Sequence, residues 1–90
     1  MERCHIFIEG NVQQVGFRFY ARELAFETKI TGWVKNLPDG RVEIVAEGED
    51  AQIQEFLQKL NEGRLGKNIS EIVKHTETHT GKFTSFGIAF

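Results

Sequence analysis

The sequence predicts an α+β domain with two helices on one face of an antiparallel sheet. Three features carry that prediction: period-two alternation near the start, two apolar stripes at helical spacing, and a Pro-Asp-Gly turn between those stripes. From His5 to Glu9, Ile6 and Ile8 fall on one face and His5, Phe7 and Glu9 on the other, which is a strand. A loop from Gly10 to Gly16 follows. Phe17, Ala21, Leu24, Ala25 and Thr28 then share one helical stripe, so a helix is expected from Phe17 to Glu27. Ile30 to Leu37, with its Ile, Thr, Trp and Val, reads as a second strand. Pro38, Asp39 and Gly40 supply a turn, because Pro presets φ and Gly accepts positive φ. Arg41 to Glu47 resumes alternation with Val42, Ile44 and Ala46 inward and completes a hairpin. Gly48, Glu49 and Asp50 break the strand and cap a second helix, where Ile53, Phe56, Leu57 and Leu60 form a stripe. Gly63 to Asn68 is a loop, and Ile69 to Phe90 reads as one or two further strands broken near Gly81. The order β-α-β-β-α-β, with room for a short extra strand, is the ferredoxin-like arrangement. Trp33, Phe56 and Phe86 are expected in its core. The fold hosts many functions and selects none of them.

Size and composition narrow the choice. The 90 residues suit one domain over 1–90, and a chain this short buries only about 60–65% of its unfolded surface, so its core must be compact. An apolar fraction of 40% with eight Phe is enough for one core and argues against disorder. The formal net charge is −2 and the 11 Lys and Arg are scattered, so no basic patch supports nucleic-acid binding. RNA-recognition domains of this topology place aromatics on the third strand, but Arg41 to Glu47 has none and contains two acids. No apolar run approaches the ~18–20 residues that span a bilayer, and the start of the chain does not read as a signal peptide. The single Cys4 permits no internal disulfide and fits a reducing cytoplasm. These features lead to the expectation of a cytoplasmic monomer that binds neither nucleic acid nor membrane.

The run GNVQQVGFR, residues 10–18, places Arg18 at the start of the first helix, where the helix dipole disfavours positive charge. Gly10 and Gly16 relax the backbone between them, so consecutive N–H groups can point into one concavity. The first helical turn adds more unsatisfied N–H groups, and phosphate is the usual occupant of such a site. Arg18 would present its planar fork to the same anion. An ordinary glycine loop followed by a surface arginine fits the same spacing. The loop has neither the Gly-Lys-Ser/Thr ending of a Walker A motif nor a dinucleotide fingerprint, and Gly81, Lys82 and Phe83 lack the hydroxyl residue and upstream Gly. Asn36, taken alone, reads as part of the turn run NLPDG. His75, Glu77 and His79 alternate in HTETH, as metal ligands or as the polar face of an edge strand. Cys4 is expected to be a small buried apolar residue, with His5 pointing to the opposite face.

Two longer runs, GNVQQVGFRFYARELA and GWVKNLPDGRVEIVAEG, together resemble the acylphosphatase family. Members of that family have a Gly-x-Val-Gln-Gly-Val-Gly/Phe-Phe-Arg loop and then a Gly-Trp-Val-x-Asn segment ahead of a hairpin. The resemblance covers about His5 to Gly48; the second half matches only in its pattern of helix and strands. It implies hydrolysis of small acyl phosphates to carboxylate and inorganic phosphate, without metal or cofactor. Arg18 would be the phosphate-binding arginine, the backbone N–H groups of Gln14, Val15, Gly16, Phe17 and Arg18 the phosphate cradle, and Asn36 the holder of the attacking water. The chemistry is coherent, because a carboxylate leaves readily and needs no strong acid, while charge stabilisation and a positioned water are needed. A neutral amide both donates and accepts, so it can orient that water without acting as a base.

Two positions depart from the family pattern. Gln14 stands where Gly is usual, and if that position needs positive φ the cost is roughly 1–2 kcal/mol. Thr28 and Lys29 stand where related helices often end in Leu-Gly. Gln14 leaves open an alternative function, a phosphate- or carbamoyl-phosphate-recognising module with weak or no catalysis that acts with a partner.

Overall fold

The computed structural model describes residues Met1 to Phe90. The elements are β1 (Glu2–Gly10), α1 (Phe17–Thr28), β2 (Thr31–Asn36), β3 (Val42–Gly48), α2 (Asp50–Glu62), a 3-10 turn (Gly66–Asn68), β4 (Ile69–Glu77) and β5 (Phe86–Ala89). The sheet order is β4-β1-β3-β2-β5. Its first four strands are antiparallel neighbours, and the added β5 lies parallel to β2, with Gly32 opposite Phe86. The sheet is therefore mixed at one edge where an antiparallel one is expected. The reason is topological: β4 ends at one edge of the sheet and β5 begins at the other, so β5 arrives beside β2 running the same way.

Alternation decides which side chains meet the helices. Cys4, Ile6 and Ile8 of β1, Val34 of β2 and Val42, Ile44 and Ala46 of β3 form one buried face. Against it pack Phe17, Tyr20, Ala21 and Ala25 of α1 and Ile53, Phe56, Leu57 and Leu60 of α2. Phe86 joins this core with its ring centroid 6.0 Å from that of Phe56. Trp33 does not. Val34 takes the inward position, so Trp33 projects to the opposite face, across from Val45, and is half-buried. Tyr20 lies outside the expected stripe but is buried, and its hydroxyl donates to the Leu60 and Lys59 carbonyls at 2.7 and 3.1 Å near the end of α2. Lys29 ends α1 at a left-handed φ of 61°, which lets its own N–H reach Phe26 O and that of Ile30 reach Ala25 O. At the start of α2, Gln52 Oε1 accepts the Glu49 N–H at 2.9 Å.

The sheet face away from the helices is covered in part by the segment that runs from β4 to β5. Glu47 lies on that face and is 1% exposed. It accepts hydrogen bonds from the Thr80 N–H and hydroxyl at 3.0 and 2.9 Å and from the Gly81 N–H at 3.1 Å. His79 Nε2 and the Arg3 guanidinium approach it at 3.6 and 3.7 Å. Burial by itself raises the Glu47 pKa, but the hydrogen bonds from Thr80 and Gly81 and the nearby His79 outweigh it, and the net displacement is below the ordinary glutamate value of 4.5.

Glu47→Ala, which frees three donors, is expected to lower unfolding stability by on the order of 2–3 kcal/mol near neutral pH. A depressed folded pKa gives stability that is full above 4.5 and is lost as pH falls through the folded value. Urea unfolding of both proteins across the acid range should therefore show the gap between them closing below pH 4.5; a gap constant with pH refutes the clamp.

Candidate active site

The loop between β1 and α1 is held at several points. Gly10 leaves β1 at φ 133°, and a Cβ there would collide with the Asn68 carbonyl. The Asn11 N–H donates to Asn68 O at 2.9 Å, and Asn68 Nδ2 donates back to Asn11 O at 2.9 Å. Val12 and Phe17 are buried and anchor both ends of the loop in the core. Between them Gln13 Nε2 donates to Leu37 O at 2.7 Å and to Arg41 O at 3.0 Å, across to the β2–β3 hairpin. Gln14 then turns the chain at φ 63° and Gly16 at φ 81°, and α1 begins.

This path leaves donors unused. No backbone N–H from Gln13 to Phe19 makes a well-formed hydrogen bond within the protein; the first to do so is Tyr20, onto Gly16 O at 3.0 Å. No side chain caps α1, and no acidic residue stands in its first turn. The Arg18 guanidinium makes no ion pair and lies 4.9 Å from the Phe90 ring centroid. Asn36, the last residue of β2, has a buried Oδ1 with no hydrogen-bond partner. Leaving such an oxygen unpaired costs about 1–3 kcal/mol, so it calls for a donor from outside the chain.

These groups share one pocket of about 210 Å³, lined by Val12, Gln14, Gly16, Phe17, Arg18, Phe19 and Asn36. A more open groove of about 570 Å³ lies between α2 and β4. It contains neither Arg18 nor the free N–H run, so chemistry and not size picks out the smaller pocket. Of the residues expected here, Gln14, Gly16, Phe17, Arg18 and Asn36 come together. Val15 does not line the pocket: its side chain packs against the core, which leaves it only a backbone N–H to contribute. Val12 and Phe19 were legible only as members of the same run. Gln13 is also in that run, but its partners lie 24 and 28 residues away and no local spacing points to them.

The HTETH residues form no site. β4 ends at Glu77, which pairs with Arg3 at 3.1 Å and His5 at 3.2 Å, while His79 turns onto Glu47. No three His, Cys, Asp or Glu side chains gather as a metal-ligating group. Cys4 is buried on the helix face, and burial is the main reason its thiol pKa is raised.

Fold and pocket together define a small ferredoxin-like protein with a polar pocket at the start of α1, where Arg18 and Asn36 lie beside N–H groups without well-formed hydrogen bonds. Comparison with known proteins narrows that class. The family model described as Acylphosphatase matches residues 4–88. A relative named acylphosphatase from Syntrophobacter fumaroxidans is 39% identical over 98% of this chain and 91% of its own. The crystal structure of acylphosphatase from Bacillus subtilis superposes with a TM-score of 0.93 at 34% identity, over 100% of both chains. Full-length HypF, in a phosphate- and nucleotide-bound form, matches 99% of this chain with only 12% of its own, at 26% identity and a TM-score of 0.86. The chain belongs to the acylphosphatase family.

Gln14 is a non-glycine residue in the left-handed region, so Gln14→Gly removes a steric cost of about 1–2 kcal/mol and adds back about 0.4–1 kcal/mol of unfolded-state entropy. A net gain of about 0.5–1 kcal/mol, read as a higher urea midpoint at unchanged slope, is the expected outcome.

Proposed function

We propose that this chain, as one acylphosphatase-like domain over residues 1–90, hydrolyses small acyl phosphates with Arg18 and Asn36 as its catalytic residues. One observation carries the proposal: Asn36, whose buried Oδ1 has no hydrogen-bond partner, lines the same small pocket as Arg18, beside a run of N–H groups without a well-formed hydrogen bond. The phosphoryl oxygens sit on the N–H groups of Gln14, Val15, Gly16, Phe17 and Arg18 and on the Arg18 guanidinium. Those donors match an anion whose negative charge is spread over several oxygens, and they stabilise it further as the transition state loosens. Asn36 Oδ1 accepts a hydrogen bond from water and aims its oxygen at phosphorus, opposite the leaving carboxylate. Attack forms one P–O bond and breaks the P–O bond to the acyl oxygen. The carboxylate departs with that electron pair, and the water's proton passes to a phosphate oxygen. Arg18 is the only charged side chain lining the pocket, which suits a reaction that needs no protein acid or base.

The same reading has the domain acting as a monomer in the cytoplasm. In its favour, every group named belongs to one chain, and Cys4 remains a free thiol. No helix is long and apolar enough to cross a membrane.

Arg18→Ala is expected to lower kcat/KM for a model acyl phosphate by about 10³-fold or more, and Asn36→Ala by about 10²–10³-fold in kcat. Far-UV circular dichroism should show both folded. Full activity in either variant removes that residue from the mechanism. A wild-type protein that binds phosphate by titration but hydrolyses nothing selects the recognition module with a partner instead.

A further inference from the structure

We infer that Gln13 is a positioning residue, whose carboxamide sets the distance between the phosphate loop and the strand end that holds Asn36. The inference rests on the proposed roles of Arg18 and Asn36. In-line attack needs two things held in mutual register: a phosphoryl group on the loop and a water on Asn36. The two belong to different elements. Arg18 and the N–H run follow β1, whereas Asn36 ends β2, and in the sheet β3 lies between those strands. The loop therefore gains no register with Asn36 from direct strand pairing.

Gln13 supplies the link. Its Nε2 donates to Leu37 O at 2.7 Å and to Arg41 O at 3.0 Å. Both partners are carbonyl oxygens, which only accept, so the amide nitrogen must face them. Leu37 and Arg41 close the turn that follows Asn36: the Leu37 N–H donates to Arg41 O at 2.8 Å and the Gly40 N–H to Leu37 O at 3.1 Å. One side chain thus grips both carbonyls at the base of the turn, next in sequence to Asn36. These two are the only hydrogen bonds between residues 11–16 and the β2–β3 hairpin. Gln13 is also next to Gln14, where the backbone enters its left-handed turn and the free N–H run lies. Fixing the Gln13 side chain fixes where that run begins.

A gap between loop and hairpin that shifts by about 1 Å lowers the rate by on the order of 10²-fold, while a cradle made of loop donors still receives phosphate. Gln13→Met keeps length and loses both donors. It is expected to lower kcat 10- to 100-fold, while the inhibition constant for inorganic phosphate stays within about threefold of wild type. An unchanged kcat overturns the inference. So does a loss of phosphate binding in proportion to kcat, which would make Gln13 a support of the cradle itself.

Gln13→Glu serves as a second test that holds even if the Met variant fails to fold. Its carboxylate has no donor for the two carbonyls, but the protonated acid restores one. Its kcat relative to wild type should climb as pH falls through the carboxyl's titration; a ratio flat with pH refutes the inference. Arg18→Ala and Asn36→Ala in the same assay separate the two levels. If they are inactive and Gln13→Met is normal, only the positioning role fails; if they are active, the underlying reading fails.

Discussion

A run of backbone N–H groups with no well-formed hydrogen bond meets one unpaired guanidinium at the start of α1, and much of the nearby structure serves to hold them there. Such an arrangement is unfavourable in isolation. The helix dipole and Arg18 carry the same sign, and no acid in the first turn offsets them. The loop cannot relax toward a conformation that satisfies its own donors, because Asn68 holds its entry and Val12 and Phe17 are buried at its ends. Gln14 is kept at φ 63° by the same anchors. Strain at Gln14 and donors without well-formed partners are held in place by the scaffold around them, and the proposed phosphate site draws on both.

The two ends of the sheet do different work. Asn36 pairs with Val42 at the end where the loop lies, while Glu47 pairs with Arg3 and Thr31 at the other. Five residue-to-residue steps of extended strand separate Val42 from Glu47, about 17 Å at the usual rise. At the Glu47 end the donors Thr80 and Gly81 meet a buried carboxylate, so charge and hydrogen bonds are satisfied within the chain. At the loop end they are not. A buried anion with its donors supplied gives stability; donors left without a well-formed partner are what the proposed phosphate site uses. Changes at one end are far enough from the other to act independently.

Local periodicity made most of the fold legible. Ile6 and Ile8, the α1 stripe from Phe17 to Thr28, the Pro38 to Gly40 turn and the α2 stripe all lie where their spacing puts them. Trp33 did not, since a large aromatic in a short strand looks like core unless the phase of its neighbour Val34 is followed. The parallel pairing of β5 and the Glu47 clamp were not legible either, because both depend on where the chain goes after β4. Two local departures from the family pattern were informative. Gln14 and Lys29, which stand where the family resemblance implies glycine, are the two non-glycine residues with positive φ. Both places have a backbone conformation that suits glycine and a residue that is not glycine.

The same contrast explains how far the site could be read. Arg18 and the cradle lie on one contiguous run, so the loop and the helix start announce them together. Asn36 lies 18 residues beyond Arg18 and is ordinary as a turn residue; only the sheet, by ending β2 beside the loop, brings it to the pocket and to its proposed role. Once there, its unpaired oxygen and the guanidinium differ in a useful way. The guanidinium can only donate and so suits an anion, whereas the amide oxygen can only accept and so suits the hydrogen of a neutral nucleophile. In the proposed mechanism a pocket with one such group for each reactant needs no titrating side chain between them, and it would favour a phosphoryl group with a good leaving group, since a poor one would have no proton donor to help it depart.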